Sequence, residues 1–125
     1  MTTQPTTGLI LFAHGSRIET ANEGVRVIAA ELARVAAIDH VEPAFLELGQ
    51  PDLAGAAASL ASHGVARIVI IPYFLTLGLH LERDLPILVE GLRAAHPGIE
   101  FQITPPLEGH PGLLAVLLDR WKQAT

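Results

Sequence analysis

Leu9-Ile10-Leu11-Phe12-Ala13 runs straight into His14-Gly15-Ser16-Arg17. Five apolar residues in succession, without polar alternation, suit a strand buried on both faces, as in a parallel sheet. Just downstream, Thr20-Ala21-Asn22-Glu23 has the spacing of a capping box, with Thr20 as N-cap and Glu23 reaching back. Val25, Ile28, Ala29, Leu32 and Ala36 then fall on one helical face. The strand-then-helix pattern recurs down the chain without any repeat of sequence. Val41 to Leu46 reads as a second strand. Pro51 and Asp52 open a helix that turns Leu53, Ala57, Leu60 and Ala61 inward and stops at Gly64. Ala66 to Ile71 is a β-branched third strand, ended by Pro72. Asp84 and Pro86 mark the start of a third helix, with Leu85, Leu88, Leu92 and Ala95 on one side and His96-Pro97-Gly98 at its end. Ile99 to Ile103 is the fourth strand, and Pro111 opens a last helix on which Leu114, Leu117, Leu118 and Trp121 share a face.

Strict alternation of strands and helices predicts an α/β fold of three layers, a parallel sheet with helices on both faces. Right-handed crossovers leave few windings, and the order 2-1-3-4 is the first choice. The 125 residues are enough for one domain, expected over residues 8–125, with residues 1–7 as a loose tail. Half the residues are hydrophobic and 17% are charged, a composition that fills a core. The chain has no cysteine, which excludes a disulfide scaffold, thiolate metal sites and cysteine nucleophiles. Eight basic against thirteen acidic residues give a net charge of -5, the wrong sign for a nucleic-acid binder. No apolar run approaches the roughly 20 residues of a membrane span, and no export leader is visible, so the cytoplasm is the expected location.

The six histidines sort by the end of the sheet on which this reading puts them. His40, His63 and His96 fall before a strand or at a helix C-terminus, where the helix dipole alone favours a histidine. His14 follows strand one, His80 is expected in the loop after strand three, and His110 lies between strand four and the last helix. Glu47 follows strand two. Each alone could be a solvated or capping residue, and His110 beside Pro111 has the position of a cap. Together they place a histidine or carboxylate beyond the C-terminal end of every strand, the edge at which open α/β sheets bind ligands. In a 2-1-3-4 sheet the order reverses between strands one and three, which carry His14 and His80.

Imidazole is a common ligand for Co²⁺, Fe²⁺, Ni²⁺ and Zn²⁺ and also accepts protons near neutral pH. Two histidines and a carboxylate could therefore form either a transient metal site or an acid–base site. There is no HExxH, no GxGxxG, no GxxxxGK[ST] and no GxSxG, so hydrolytic zinc, dinucleotide, nucleotide and serine-hydrolase chemistries lack support, and no organic cofactor is expected. Gly15-Ser16 could form a backbone anion nest. A phosphohistidine mechanism is disfavoured because Ala13, not an arginine, precedes His14-Gly15.

The segment Leu11-Phe12-Ala13-His14-Gly15-Ser16-Arg17 resembles the opening motif of the small, single-lobe sirohydrochlorin cobaltochelatases, members of the class II tetrapyrrole chelatases. Pro72-Tyr73-Phe74-Leu75-Thr76-Leu77-Gly78-Leu79-His80, continued by Arg83-Asp84-Leu85-Pro86, is similar to their second motif. Phe45-Leu46-Glu47 with Pro51, and Pro106-Leu107-Glu108-Gly109-His110-Pro111, match their other landmarks. The resemblance covers Leu9 to Trp121 and is shared by ferrochelatases of the same substrate, so it implies the class more strongly than the metal. It implies a chelatase-like fold with flavodoxin-like winding. The implied reaction is insertion of a divalent metal, Co²⁺ first with Fe²⁺ or Ni²⁺ as alternatives, into sirohydrochlorin in cobalamin or sirohaem synthesis. A non-catalytic carrier of metal or tetrapyrrole is the rival from another class.

The resemblance carries the metal pair onto His14 and His80, with Glu47 as a third catalytic group. Substrate contacts fall on Ser16, Arg17, Tyr73, Phe74, Arg83 and His110. Phe12, Tyr73, Phe74, Leu77 and Leu79 could wall a flat apolar ring, although Phe12 fits a core position better. Arg17, ahead of Arg83, could pair the carboxylates on the ring's rim; Glu19, Glu82 and Asp84 are near enough in sequence to compete. One lobe offers one face to a ring, so a homodimer is expected to supply the second.

Overall fold

A computed structural model describes residues 6–125. Strand β1 (Thr7–Ala13) lies at the centre, and its apolar run is buried because it has a neighbour on either side. Helix α1 (Glu19–Ala36), strand β2 (Val41–Phe45), helix α2 (Leu53–Ser62), strand β3 (Arg67–Pro72), helix α3 (Gly78–Ala95), strand β4 (Glu100–Ile103) and helix α4 (Pro111–Gln123) follow in turn. All pairings are parallel and the order is β2-β1-β3-β4, as the alternation predicts. The expected tail overlaps the sheet: Thr7 is in register with Arg67, and the Thr6 carbonyl accepts from the Ala66 N–H at 2.9 Å. The rest of that tail, residues 1–5, lies outside the described residues.

One face of the sheet carries Ile10, Phe12, Ile68, Ile70 and Phe101, packed against α2 and α3. Phe12 is wholly buried in this core, as its position in the sequence suggests. The opposite face carries Leu11, Ala13 and Phe45, packed against Val25 and Ala29 of α1. Helix α2 begins where Asp52 caps it, its Oδ1 accepting from the Gly55 N–H at 2.8 Å, and ends at His63, followed by Gly64 at φ +75°. At the N-terminal edge of the sheet the His40 and His63 rings lie 5.0 Å apart, and His96 ends α3.

Two helix starts differ from expectation. Helix α1 begins at Glu19, so Thr20 is already helical and the expected capping box does not form. Ser16 Oγ instead accepts from the Ile18 N–H at 3.0 Å, and Glu23 pairs with Arg26 at 3.1 Å. Helix α3 begins at Gly78, eight residues before Pro86, so His80 sits in its first turn and not in a loop. The reason is the buried stripe Leu81, Leu85, Val89 and Leu92. Burying Leu81 and Leu85 contributes about 1.5–3 kcal/mol each, which offsets the roughly 3 kcal/mol that an interior proline costs.

Because Pro86 is exposed and inside the helix, Pro86→Ala restores one backbone hydrogen bond without opening a cavity. We expect a gain of about 2 kcal/mol in denaturant unfolding, the interior-proline cost less the lost rigidity of the unfolded chain. A destabilised variant would mean that α3 starts at Pro86 after all.

Candidate active site at the switch point

Parallel pairing between the first two strands continues past their ends. The Leu46 N–H donates to the Ala13 carbonyl at 2.9 Å and the Glu47 N–H to the His14 carbonyl at 3.0 Å. His14 and Glu47 are thereby set side by side, with His14 Nε2 3.8 Å from Glu47 Oε1. That distance allows an electrostatic contact but is too long for a hydrogen bond. Both side chains are more than half exposed. The close approach requires glycine at position 15, where φ is +93° and a Cβ would lie 1.7 Å from the Glu47 carbonyl oxygen.

Asn22, on the buried face of α1, holds the two loops together. Its Oδ1 accepts from the Ser16 N–H at 2.9 Å, and its Nδ2 donates to the carbonyls of Ser16 and Leu48, each at 2.9 Å. It is 1% exposed and is the one buried polar side chain among the described residues. Arg26 braces the same region from outside, over the Phe45 ring and within 2.6 Å of Glu19. The Arg26 guanidinium, with help from Asn22, holds the Glu19 carboxyl below the usual range. The Ser16 amide is thus committed to Asn22, which removes it from the anion nest that Gly15-Ser16 could have formed.

His14 and His80 line one cavity of about 660 Å³ at the junction of the first and third strands, where the strand order reverses. That volume lies within the range of small-molecule sites. Its walls are apolar, with Leu46, Phe74, Leu77 and Leu79 on one part and Ile87 and Leu88 of α3 on another. The His14 ring meets Phe74 edge-on, with centroids 6.3 Å apart. Asp84 also lines the cavity, one helical turn beyond His80. Arg83 Nε donates to Asp84 Oδ1 at 2.8 Å, and this bond holds the Asp84 carboxyl below the usual range. Among the described residues no three His, Asp or Glu side chains cluster tightly enough to enclose an ion.

The cavity therefore brings together His14, His80 and Phe74, with Glu47 beside His14. Ser16, Arg17, Tyr73 and Arg83 do not line it. His110 caps α4, its Nδ1 accepting from the Gly112 N–H at 2.8 Å. Arg17 is exposed and has no hydrogen-bond or ion-pair partner among the described residues, unlike Arg83. Asn22, Asp84, Ile87 and Leu88 were not singled out in the sequence as site residues. Asn22 could have been found as a polar residue in the i, i+3, i+7 stripe with Val25 and Ala29. Leu88 was read as a core position of the same helix, but it is exposed and lines the cavity with Ile87 and Asp84.

A parallel α/β lobe with an apolar cleft lined by two histidines at its switch point has the open-sheet architecture in which ligands are commonly bound at that edge. Within it, the CbiX family model matches residues 8–124, and the chain belongs to the CbiX family. A sirohydrochlorin cobaltochelatase from Sulfurisphaera tokodaii is 33% identical over 90% of this chain and 89% of its own length. A chloroplastic sirohydrochlorin ferrochelatase from Arabidopsis thaliana is 34% identical over 90% of this chain, which spans only 50% of the plant protein. A crystal structure described as a putative cobalamin biosynthesis CbiX protein, from Marinobacter aquaeolei, superposes with a TM-score of 0.82 at 30% identity, covering 94% of this chain and 96% of that one. The sirohydrochlorin chelatase SirB from Bacillus subtilis, in complex with cobalt, shares the fold with a TM-score of 0.87 at 19% identity; the match covers 94% of this chain and 50% of SirB.

Gly15 and Gly109 both have positive φ, but only Gly15 has no room for a Cβ. Gly109→Ala is expected to cost about 1–2 kcal/mol, the left-handed backbone penalty alone. Gly15→Ala should cost at least twice as much in the same urea titration, and Asn22→Ala about 3 kcal/mol, because it strands buried backbone groups. Equal costs for the two glycine variants would contradict the close approach to Glu47.

Proposed function

We propose that this chain is a metal chelatase that inserts a divalent ion into sirohydrochlorin. The observation that carries the reading is that His14 and His80, delivered by different elements, line one apolar cavity at the sheet's switch point. The net reaction exchanges two pyrrole protons of the macrocycle for one M²⁺. The neutral imidazoles of His14 and His80 hold the incoming ion through lone pairs, and their incomplete set lets the ring nitrogens take it over. Glu47, 3.8 Å from His14, is placed to receive a proton released as the ring nitrogens bind. Phe74, Leu77 and Leu79 offer the apolar wall for the ring, and Arg17, without an ion-pair partner among the described residues, is a cation for its rim carboxylates. Arg83 serves Asp84 first. Ser16, Tyr73 and His110 support the surrounding loops in this reading.

Co²⁺ is the proposed metal, because the cobaltochelatase from S. tokodaii matches over nearly the whole of both chains. Fe²⁺ and Ni²⁺ satisfy the same ligands and are the alternatives. The cleft is open on one side, and the plant relative and SirB are each about twice the length that this chain covers. A homodimer supplies the missing wall. The lack of cysteine suits the cytoplasm, and among the described residues no helix is long and apolar enough to cross a membrane.

Purified protein, sirohydrochlorin and each of Co²⁺, Fe²⁺ and Ni²⁺ in turn, followed by absorbance, test this reading. We expect turnover above the protein-free rate, fastest with Co²⁺. His14→Ala and His80→Ala should each lower it at least 100-fold with the fold intact, and His63→Ala, on the opposite edge, should leave it within about twofold. Stoichiometric binding without turnover would identify a carrier. Equal losses for His63→Ala and His14→Ala would move the site elsewhere.

A further inference from the structure

The edge of the sheet opposite the cleft carries a second pair of histidines. His40 directly precedes β2, and its carbonyl accepts from the Leu9 N–H at 2.9 Å, so its backbone already belongs to the ladder of the sheet. His63 is the C-cap of α2, and its N–H donates to the Leu60 carbonyl at 3.0 Å. Their ring centroids lie 5.0 Å apart, with 35° between the planes. Side chains alternate along a strand, so His40 and Glu42 share a face of β2, while Ser59 and His63, four residues apart, share a face of α2. Two rungs therefore join this strand to its helix. In one, Ser59 Oγ donates to Glu42 Oε1 at 3.1 Å. In the other, the two imidazoles lie together.

The second rung has the chemistry of a metal site. His63 Nδ1 is 2.8 Å from the Ser59 carbonyl. A carbonyl can only accept, so Nδ1 carries the proton, and Nε2 of the neutral ring keeps its lone pair. Metal-bound histidines are commonly oriented in this way, the nitrogen that does not bind the ion donating to a carbonyl or carboxylate. His63 Nε2 and both ring nitrogens of His40 have no hydrogen-bond partner among the described residues, and no unpartnered polar side-chain atom there is buried, so His40 offers its nitrogens to solvent. An ion about 2.0–2.1 Å from a ring nitrogen lies about 3.2 Å from the ring centre, so two imidazoles at cis or tetrahedral positions of one ion have centres roughly 4.5–5.2 Å apart. The observed 5.0 Å falls in that range, and side-chain rotation alone, on two fixed backbones, brings the rings to one ion. The charge around the pair has the right sign. Helices α1, α3 and α4 each carry a basic residue in the last turn, where the helix dipole is negative, but α2 has none. Asp39 and Glu42 flank His40 in sequence.

The geometry points to a second transition-metal site, in which His40 and His63 hold one divalent ion of the kind that prefers imidazole, Zn²⁺, Co²⁺ or Ni²⁺, with water in its remaining positions. The ion clamps the C-terminal end of α2 to β2, the edge strand of the sheet. It is a resident ion and not a substrate, because the length of the sheet separates it from the cleft lined by His14 and His80. Water competes for an exposed pair, so this site fills after the cleft.

Zn²⁺ alone is the probe, since it has no redox change and no geometric preference of its own. It is titrated by calorimetry into the His14→Ala/His80→Ala double variant, which lacks the cleft pair. We expect one zinc per chain. His40→Ala or His63→Ala, added to that background, should each weaken the binding at least tenfold, and His96→Ala, at the same edge, should leave it unchanged. Saturating Zn²⁺ should raise the melting temperature of the double variant by about 5 °C, because the ion binds only the folded pair. His63→Ala should abolish that rise. His40→Gln and His63→Gln take the place of the alanine variants if either alanine lowers the metal-free melting temperature. A double variant that takes up no zinc, or zinc binding that survives both substitutions, would overturn the site. Zinc held by His40 and His63 without a rise in melting temperature would overturn the clamp. No turnover is measured, so these outcomes are independent of the chelatase reading.

Discussion

The backbone of Gly15 lies against the carbonyl of Glu47, and the placement of His14 beside Glu47 follows from that contact. Two parallel strands would ordinarily part at their ends. Here two further hydrogen bonds carry the pairing on through His14 and Glu47. The extension is possible only because residue 15 lacks a Cβ and can take a positive φ. Asn22 then joins the β1–α1 and β2–α2 loops, using both of its polar atoms in a buried place. A single buried polar group with all its partners present is a rigid device, because any shift of the loops would leave one of those partners unmet.

The proposed chemistry depends on that rigidity. A metal that is substrate and not a resident cofactor must be held well enough to be captured and loosely enough to be released. Two imidazoles on separate elements meet this need better than a closed set of four ligands. His14 is fixed by the strand extension and His80 by the first turn of α3, so the gap between them is set by the sheet and by the Leu81 and Leu85 anchors. A net charge of -5 does not attract an anionic ring from a distance, so the proposed reaction would need local cations, for which Arg17 is the candidate.

Much of this was legible in the residues. The apolar run Leu9–Ala13 suited a strand of a parallel sheet and the β-branched Ala66–Ile71 another, and Asp52 and Gly64 bound their helix as caps do. The two edges of histidines separated correctly because strand direction alone decides which end a loop residue occupies. The start of α3 did not, because Asp84 and Pro86 imitate a helix N-terminus and the stripe through Leu81 outweighs them. Asn22 was hidden inside an apparent capping box, since a tertiary hydrogen-bond partner leaves no local signal. The face of α4 was plain in the sequence, but only the fold shows that no residue of this helix is buried among the described residues.

The central claim is that His14 and His80 take the metal together at the switch point. Nitrogen-15 imidazole NMR of the wild-type protein, titrated with Co²⁺ before any macrocycle is added, tests it directly. The account predicts that the ring signals of His14 and His80 shift or broaden together at the lowest cobalt concentrations, while His40, His63 and His96 stay in place. Cobalt that perturbs the His40 and His63 pair first, or perturbs His14 without His80, would contradict it.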